Sequence, residues 1–133
     1  MTATPPPTAV VFVSDVPRVS RFYREVAAMG VLVEDESHVV LGIAGFELVV
    51  HGLRGEPAVR RNATGDVPVR EDSYVKICLP VRSLADARAV AATLGGAIKP
   101  AEHEWEARGF RACDGHDPEG NVIQVRVTAG PRA

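Results

Sequence analysis

The chain has 133 residues, 46% hydrophobic and 24% charged, with a formal net charge of −2. That length suits one compact domain, or two small modules sharing a core. The near-neutral charge carries no basic stripe (Arg60-Arg61 is too short to make one) and no apolar run reaches bilayer length, which argues against a nucleic-acid or membrane partner.

The N-terminus through Pro5-Pro6-Pro7 has neither the basic nor the apolar region of a secretion signal, so a cytoplasmic location is expected. Two cysteines, Cys78 and Cys113, sit in strand-like stretches and read as reduced, buried thiols rather than a disulfide.

Residues 8–13 read as a mostly buried strand. Asp15 is placed to cap a helix running to Met29, with Pro17 in its first turn and Val16, Val19, Phe22, Tyr23 and Val26 on one face. Gly30 is expected to stop that helix with a left-handed backbone. Residues 31–33, His38–Ile43 and 46–51 follow as strands, the last two joined by a hairpin turn within Gly42-Ile43-Ala44-Gly45. Residues 52–73 are rich in Gly, Pro and charge without apolar period, which reads as a linker or a lid.

The same order then returns. Residues 74–81 read as a strand, and Ser83 caps a helix to Leu94 whose buried stripe is Leu84, Ala87, Val90, Ala91 and Leu94. Gly95-Gly96 stops it. Residues 97–99, 109–113 and 121–127 read as strands, the last two joined by the turn-rich segment Asp114 to Gly120. The fold class is therefore α+β: one domain over residues 1–133, with β-α-β-β-β modules at 8–52 and 74–127 joined by residues 53–73. Neither copy is long enough to bury a good core alone.

Three features carry a family resemblance. Val11-x-Val13-x-Asp15-Val16 with Arg21-Phe22-Tyr23 resembles the first strand and the helix "FY" of the vicinal oxygen chelate superfamily, which groups glyoxalase I, bleomycin-resistance proteins and extradiol dioxygenases. Asp117-Pro118-Glu119-Gly120-Asn121-Val122-Ile123-Gln124 resembles its "DPDGNxIE" turn and last strand, the most specific of the three. The doubled module order covers nearly the whole chain.

In metal-dependent members of that superfamily, four ligands, typically His on the first strand and Glu on the last strand of each module, point into a cavity. The resemblance places these positions on Thr8, Glu47, Lys76 and Gln124. Thr8 is a weak neutral donor, and a protonated Lys76 has no lone pair to give. Only Glu47 is a firm ligand type. The simpler expectation is a metal-free pocket in which Lys76 stands where the metal would sit and Glu47 pairs with it. A site of Glu47, His51 and Gln124 is the metal-binding alternative.

Strand alternation puts Thr8, Val10 and Phe12 on one face, with Glu47, Val49 and His51 facing the same cavity. Lys76, Cys78 and Gln124, with Val122 and Arg126, line it from the second module. Trp105 could stack on a flat ligand, and Arg108 and Arg111 could meet an anion. Apolar walls with a few convergent polar groups are the usual make-up of a small-molecule site.

No catalytic residue is assigned. The leading expectation is metal-independent sequestration of a small hydrophobic or aromatic compound, as in antibiotic-resistance binding proteins, by a homodimer with no cofactor. The alternatives are a metal-dependent lyase or dioxygenase-like enzyme using Glu47 and Gln124, a metal-free enzyme using Lys76 or Glu47 as acid or base, and a thiolate at Cys113 near His116.

Overall fold

A computed structural model describes residues 4–54 and 63–129. Arg60-Arg61, part of the linker and the end of the tail lie outside the described residues.

The first module is β1 (Thr8–Val13), α1 (Val16–Val26), β2 (Gly30–Glu34), β3 (His38–Ile43) and β4 (Phe46–Gly52). Its sheet, sheet A, has the order β1-β4-β3-β2, with β1 parallel to β4 and the rest antiparallel. The second module is β5 (Ile77–Pro80), α2 (Leu84–Thr93), β6 (Ala97–Ile98), a 3-10 turn (Ala101–His103), β7 (Trp105–Ala107), β8 (Phe110–His116) and β9 (Val122–Thr128). In sheet B, β5 runs parallel to β9, and β8 pairs with β9, β6 and β7.

Both helices start as their caps dictate. Asp15 accepts from the Arg18 amide at 3.1 Å and Ser83 from the Asp86 amide at 3.1 Å. The first helix ends earlier than Met29. The Ala27 amide donates to the Tyr23 carbonyl and the Met29 amide to Arg24, and Ala28, not Gly30, takes the left-handed turn with φ 52°. That turn drives Met29 into the core, where it is 3% exposed.

Two further differences lie in the second module. Residues 74–76 do not join β5, and the second strand is split into β6 and β7. Pro100 cannot donate to a ladder, so the chain leaves the sheet for one 3-10 turn and returns as β7. The expected loop around Trp105 is therefore a strand.

Each helix covers the inner face of its own sheet, and the two helices meet each other. Phe22, Tyr23, Leu41, Leu48, Leu79 and Ile123 are buried in one shared core, each contributing about 1.5–3 kcal/mol by apolar burial. Gly96 is required there: a Cβ would strike the Phe22 ring and the His116 carbonyl. Neither module has a complete core without the other.

Candidate functional site

The segment that looks most like a signature is structural. Asp117, fully buried, accepts from the Glu119 amide at 2.8 Å, the Asn121 amide at 3.0 Å, the Asn121 side chain at 2.9 Å and the Tyr23 hydroxyl at 2.8 Å. Burial first, then the Asp117 charge and hydrogen bond, push the Tyr23 hydroxyl well above its ordinary pKa. Glu119 accepts from the Ser14 amide at 2.8 and 3.0 Å and from the Asp15 amide at 2.8 Å. The turn thus ties the second module to the start of α1, which carries Phe22-Tyr23. The two resembling motifs are two sides of one joint.

The outer faces of the sheets are different. On sheet A, Thr8 lies opposite Glu47, Val10 opposite Val49 and Phe12 opposite His51, all on the face away from α1. Phe12 is 58% exposed and Val10 50%. His51 stacks on His38 with ring centroids 5.7 Å apart. Its Nδ1 is 2.8 Å from the Gly52 carbonyl, which can only accept, so Nδ1 is the nitrogen that carries the proton of this hydrogen bond. Glu47 forms no ion pair among the described residues.

On sheet B, Gln124 lies opposite Cys78 on β5 and Asp114 on β8. Gln124 is buried. Its amide donates to Asp114 Oδ1 at 3.0 Å, and its oxygen accepts from Arg126 Nε at 2.6 Å. Lys76 Nζ reaches the same Asp114 oxygen at 3.2 Å. Burial alone would raise the Asp114 pKa. The hydrogen bonds from Gln124 and Lys76, with the Lys76 and Lys99 charges, outweigh it and hold the carboxyl below its usual range. Arg126 also contacts Cys78 Sγ at 3.4 Å and lies 4.2 Å over the Phe110 ring, whose edge meets Trp105 at 5.8 Å.

Several expectations are corrected here. Lys76 pairs with Asp114, not Glu47, because Glu47 belongs to the other sheet. Cys78 is exposed rather than buried, since it points to the outer face; Cys113 is buried, and both are free thiols. Cys113 faces inward and contacts the Lys99 carbonyl at 3.3 Å, whereas His116 alternates to the outer face. No thiolate pair forms between them. Arg111 also faces the helix side, where Glu104 bridges it at 2.7 Å to Arg88 at 2.6 Å. Hydrogen bonds from Arg111 and Arg88 hold the Glu104 carboxyl below its usual range.

Within one chain the outer faces are not brought together: the modules meet through their helices and the 117–121 turn. Thr8, Val10, Phe12, Glu47, Val49 and His51 form one group; Lys76, Cys78, Trp105 and Gln124 form another. The cleft of about 380 Å³ between the modules takes none of them. Sequence reasoning gave Asp114 and Phe110 no role in the site, although alternation from Gln124 through the β8 partner would have found both.

The donor set does not fit a transition metal. Glu47 and His51 lie on sheet A, while the Gln124 oxygen on sheet B is taken by a guanidinium with Lys76 nearby. Among the described residues no three His, Cys, Asp or Glu side chains gather as a ligand group. No helix among them is long and apolar enough to cross a membrane.

No protein-family model matches the sequence, and no curated protein matches it significantly. Solved structures do match over nearly the whole chain. A glyoxalase/bleomycin resistance protein from Albidiferax ferrireducens superposes with a TM-score of 0.65 at 17% identity, covering 92% of this chain and 98% of its own. A glyoxalase/bleomycin resistance protein/dioxygenase family enzyme from Burkholderia phytofirmans gives 0.64 at 13%, covering 92% and 97%. The fosfomycin resistance protein FosX from Listeria monocytogenes gives 0.60 at 14%, covering 97% and 95%. The chain therefore carries the α+β fold of the glyoxalase/bleomycin-resistance proteins.

Proposed function

We propose that this protein binds a small hydrophobic or aromatic compound by sequestration, in a pocket completed by a second copy of the chain. The outer face of sheet A from one copy seats over the outer face of sheet B from the other. One observation carries this reading: the outer face of sheet A exposes Val10 and Phe12, that of sheet B exposes Trp105, and their charges are complementary. Sheet A presents Glu47 without an ion pair among the described residues. Sheet B presents Lys76, Arg126 and Arg108 against the single carboxylate of Asp114.

Apolar walls from Val10, Phe12, Val49 and Trp105 would surround a few fixed polar groups, which suits binding without bond making. Resistance proteins named among the structural neighbours favour a protective role. A metal-dependent lyase or dioxygenase reading is weakened by Gln124, whose oxygen already accepts from Arg126.

A thermal-shift screen of aromatic compounds, run with chelator and then with added manganese, nickel or zinc, tests this. The expected result is a raised midpoint that is the same in both conditions, with the ligand recovered at unchanged mass. A ligand that binds only with metal, or is recovered altered, would overturn sequestration.

A further inference from the structure

We infer that the pocket has a subsite for a planar aromatic carboxylate, built on Arg126, Phe110 and Trp105; this rests on the small-molecule reading above. The aromatic part is a pair of rings. Trp105 and Phe110 meet edge to face at 5.8 Å and 66°, with Trp105 still 39% exposed. A flat ligand can extend that pair by stacking.

The anion site is Arg126. Its guanidinium carbon lies over the Phe110 ring, 4.2 Å from the centroid. It is fixed from behind: Nε donates to Gln124, and Gln124 is itself fixed by Asp114. Among the described residues, Nη2 hydrogen-bonds only to the Cys78 sulfur. No carboxylate neutralises Arg126 among the described residues, because Asp114 is engaged by Lys76 and Gln124. A guanidinium whose plane is set in advance, with donors unclaimed, is suited to two parallel hydrogen bonds to a carboxylate.

A second guanidinium stands over the same ring, at a cost to the backbone. Arg108 lies 4.8 Å from the Phe110 centroid, and its backbone is left-handed at φ 26°, in the two-residue turn it shares with Gly109. The corresponding turn of sheet A uses Ala44-Gly45. Asparagine or glycine would relieve Arg108's position, yet a long cation occupies it. Even after Glu47 of a second copy is counted, the cations Lys76, Arg108 and Arg126 outnumber the carboxylates, which leaves room for one anionic ligand.

The probes are benzoate, its neutral isostere benzamide, and the non-planar cyclohexanecarboxylate. Binding is followed by calorimetry and by the emission of Trp105, the only tryptophan. Benzoate should bind about ten-fold or more tightly than either comparison compound. Arg126→Met should abolish that preference, and Arg126→Lys should not restore it, since an ammonium lacks the planar fork. Arg108→Gly should weaken benzoate less than Arg126→Met does. Equal binding of benzoate and benzamide, or a preference that survives Arg126→Met in a protein with native circular dichroism, overturns the inference. Sedimentation in parallel separates the two readings. A monomer that still selects benzoate removes the paired pocket and leaves this subsite standing; a dimer that does not select removes the subsite alone.

Discussion

The 117–121 turn and the outer face of sheet B are both dense in polar residues, and they behave oppositely. In the turn every carboxylate oxygen serves the protein itself: Asp117 and Glu119 bind backbone amides, Asn121 and Tyr23. On the outer face, Arg126 is held by Gln124 and Arg108 lies over the Phe110 ring, and neither forms an ion pair among the described residues. A recognisable motif therefore marks a joint, while the features that could contact a ligand carry no motif. Polar groups satisfied internally hold a fold; polar groups fixed on one side and open on the other can recognise something else.

Breaking the joint should cost most. Asp117→Ala strands the Tyr23 hydroxyl and two backbone amides in a buried site, so a loss of about 4 kcal/mol is expected in urea unfolding. A loss below 1 kcal/mol would remove the turn's structural role. Glu119→Ala frees the Ser14 and Asp15 amides nearer the surface and should cost about 2 kcal/mol by the same measurement. It should also loosen the N-terminus of α1, visible as faster amide hydrogen exchange there.

Outer-face changes should invert this pattern. Trp105→Ala should leave stability within about 1 kcal/mol of native, while ligand binding in the thermal-shift screen disappears. A large stability loss would place Trp105 with the joint instead.

The smallest effect concerns pH. Asp114 is held below its usual range, so it contributes stability above the ordinary carboxylate range, and that contribution fades as pH falls through its lowered value. Lys76→Met removes one of the lowering partners, so the Asp114 carboxyl should titrate at higher pH by NMR. The acid-side stability difference should stay below about 1 kcal/mol, because the pair is partly solvated. An unmoved Asp114 titration would show that Gln124, not Lys76, sets it.

The fold was legible because two physical signals repeat: capped helices with apolar faces, and alternating strands ended by Gly or Pro. Asp15 and Ser83 cap as their sequence positions require. The split of the second module's second strand was not legible, since β7 is three residues long and begins within Glu102-His103-Glu104-Trp105-Glu106, where charge hides the alternation. In the site, alternation placed Thr8, Val10, Phe12, Glu47, Val49 and His51 on one face. It could not say that Glu47 and Lys76 belong to faces that never meet in one chain. That depends on which sides of the modules pack, and here the helices do. Arg111 shows the limit within a strand: one residue of register sends it to Glu104 on the helix side.

Whether two outer faces close on each other is best decided by sedimentation equilibrium on the native chain, on Phe12→Glu (sheet A) and Trp105→Glu (sheet B), and on a mixture of the two variants. A native dimer is expected, with each variant shifted toward monomer. The mixture should regain dimer, because one of its two interfaces joins an unaltered sheet A face to an unaltered sheet B face. A native monomer at tens of micromolar, or a mixture that sediments as the sum of its parts, would rule out a pocket built from the two faces.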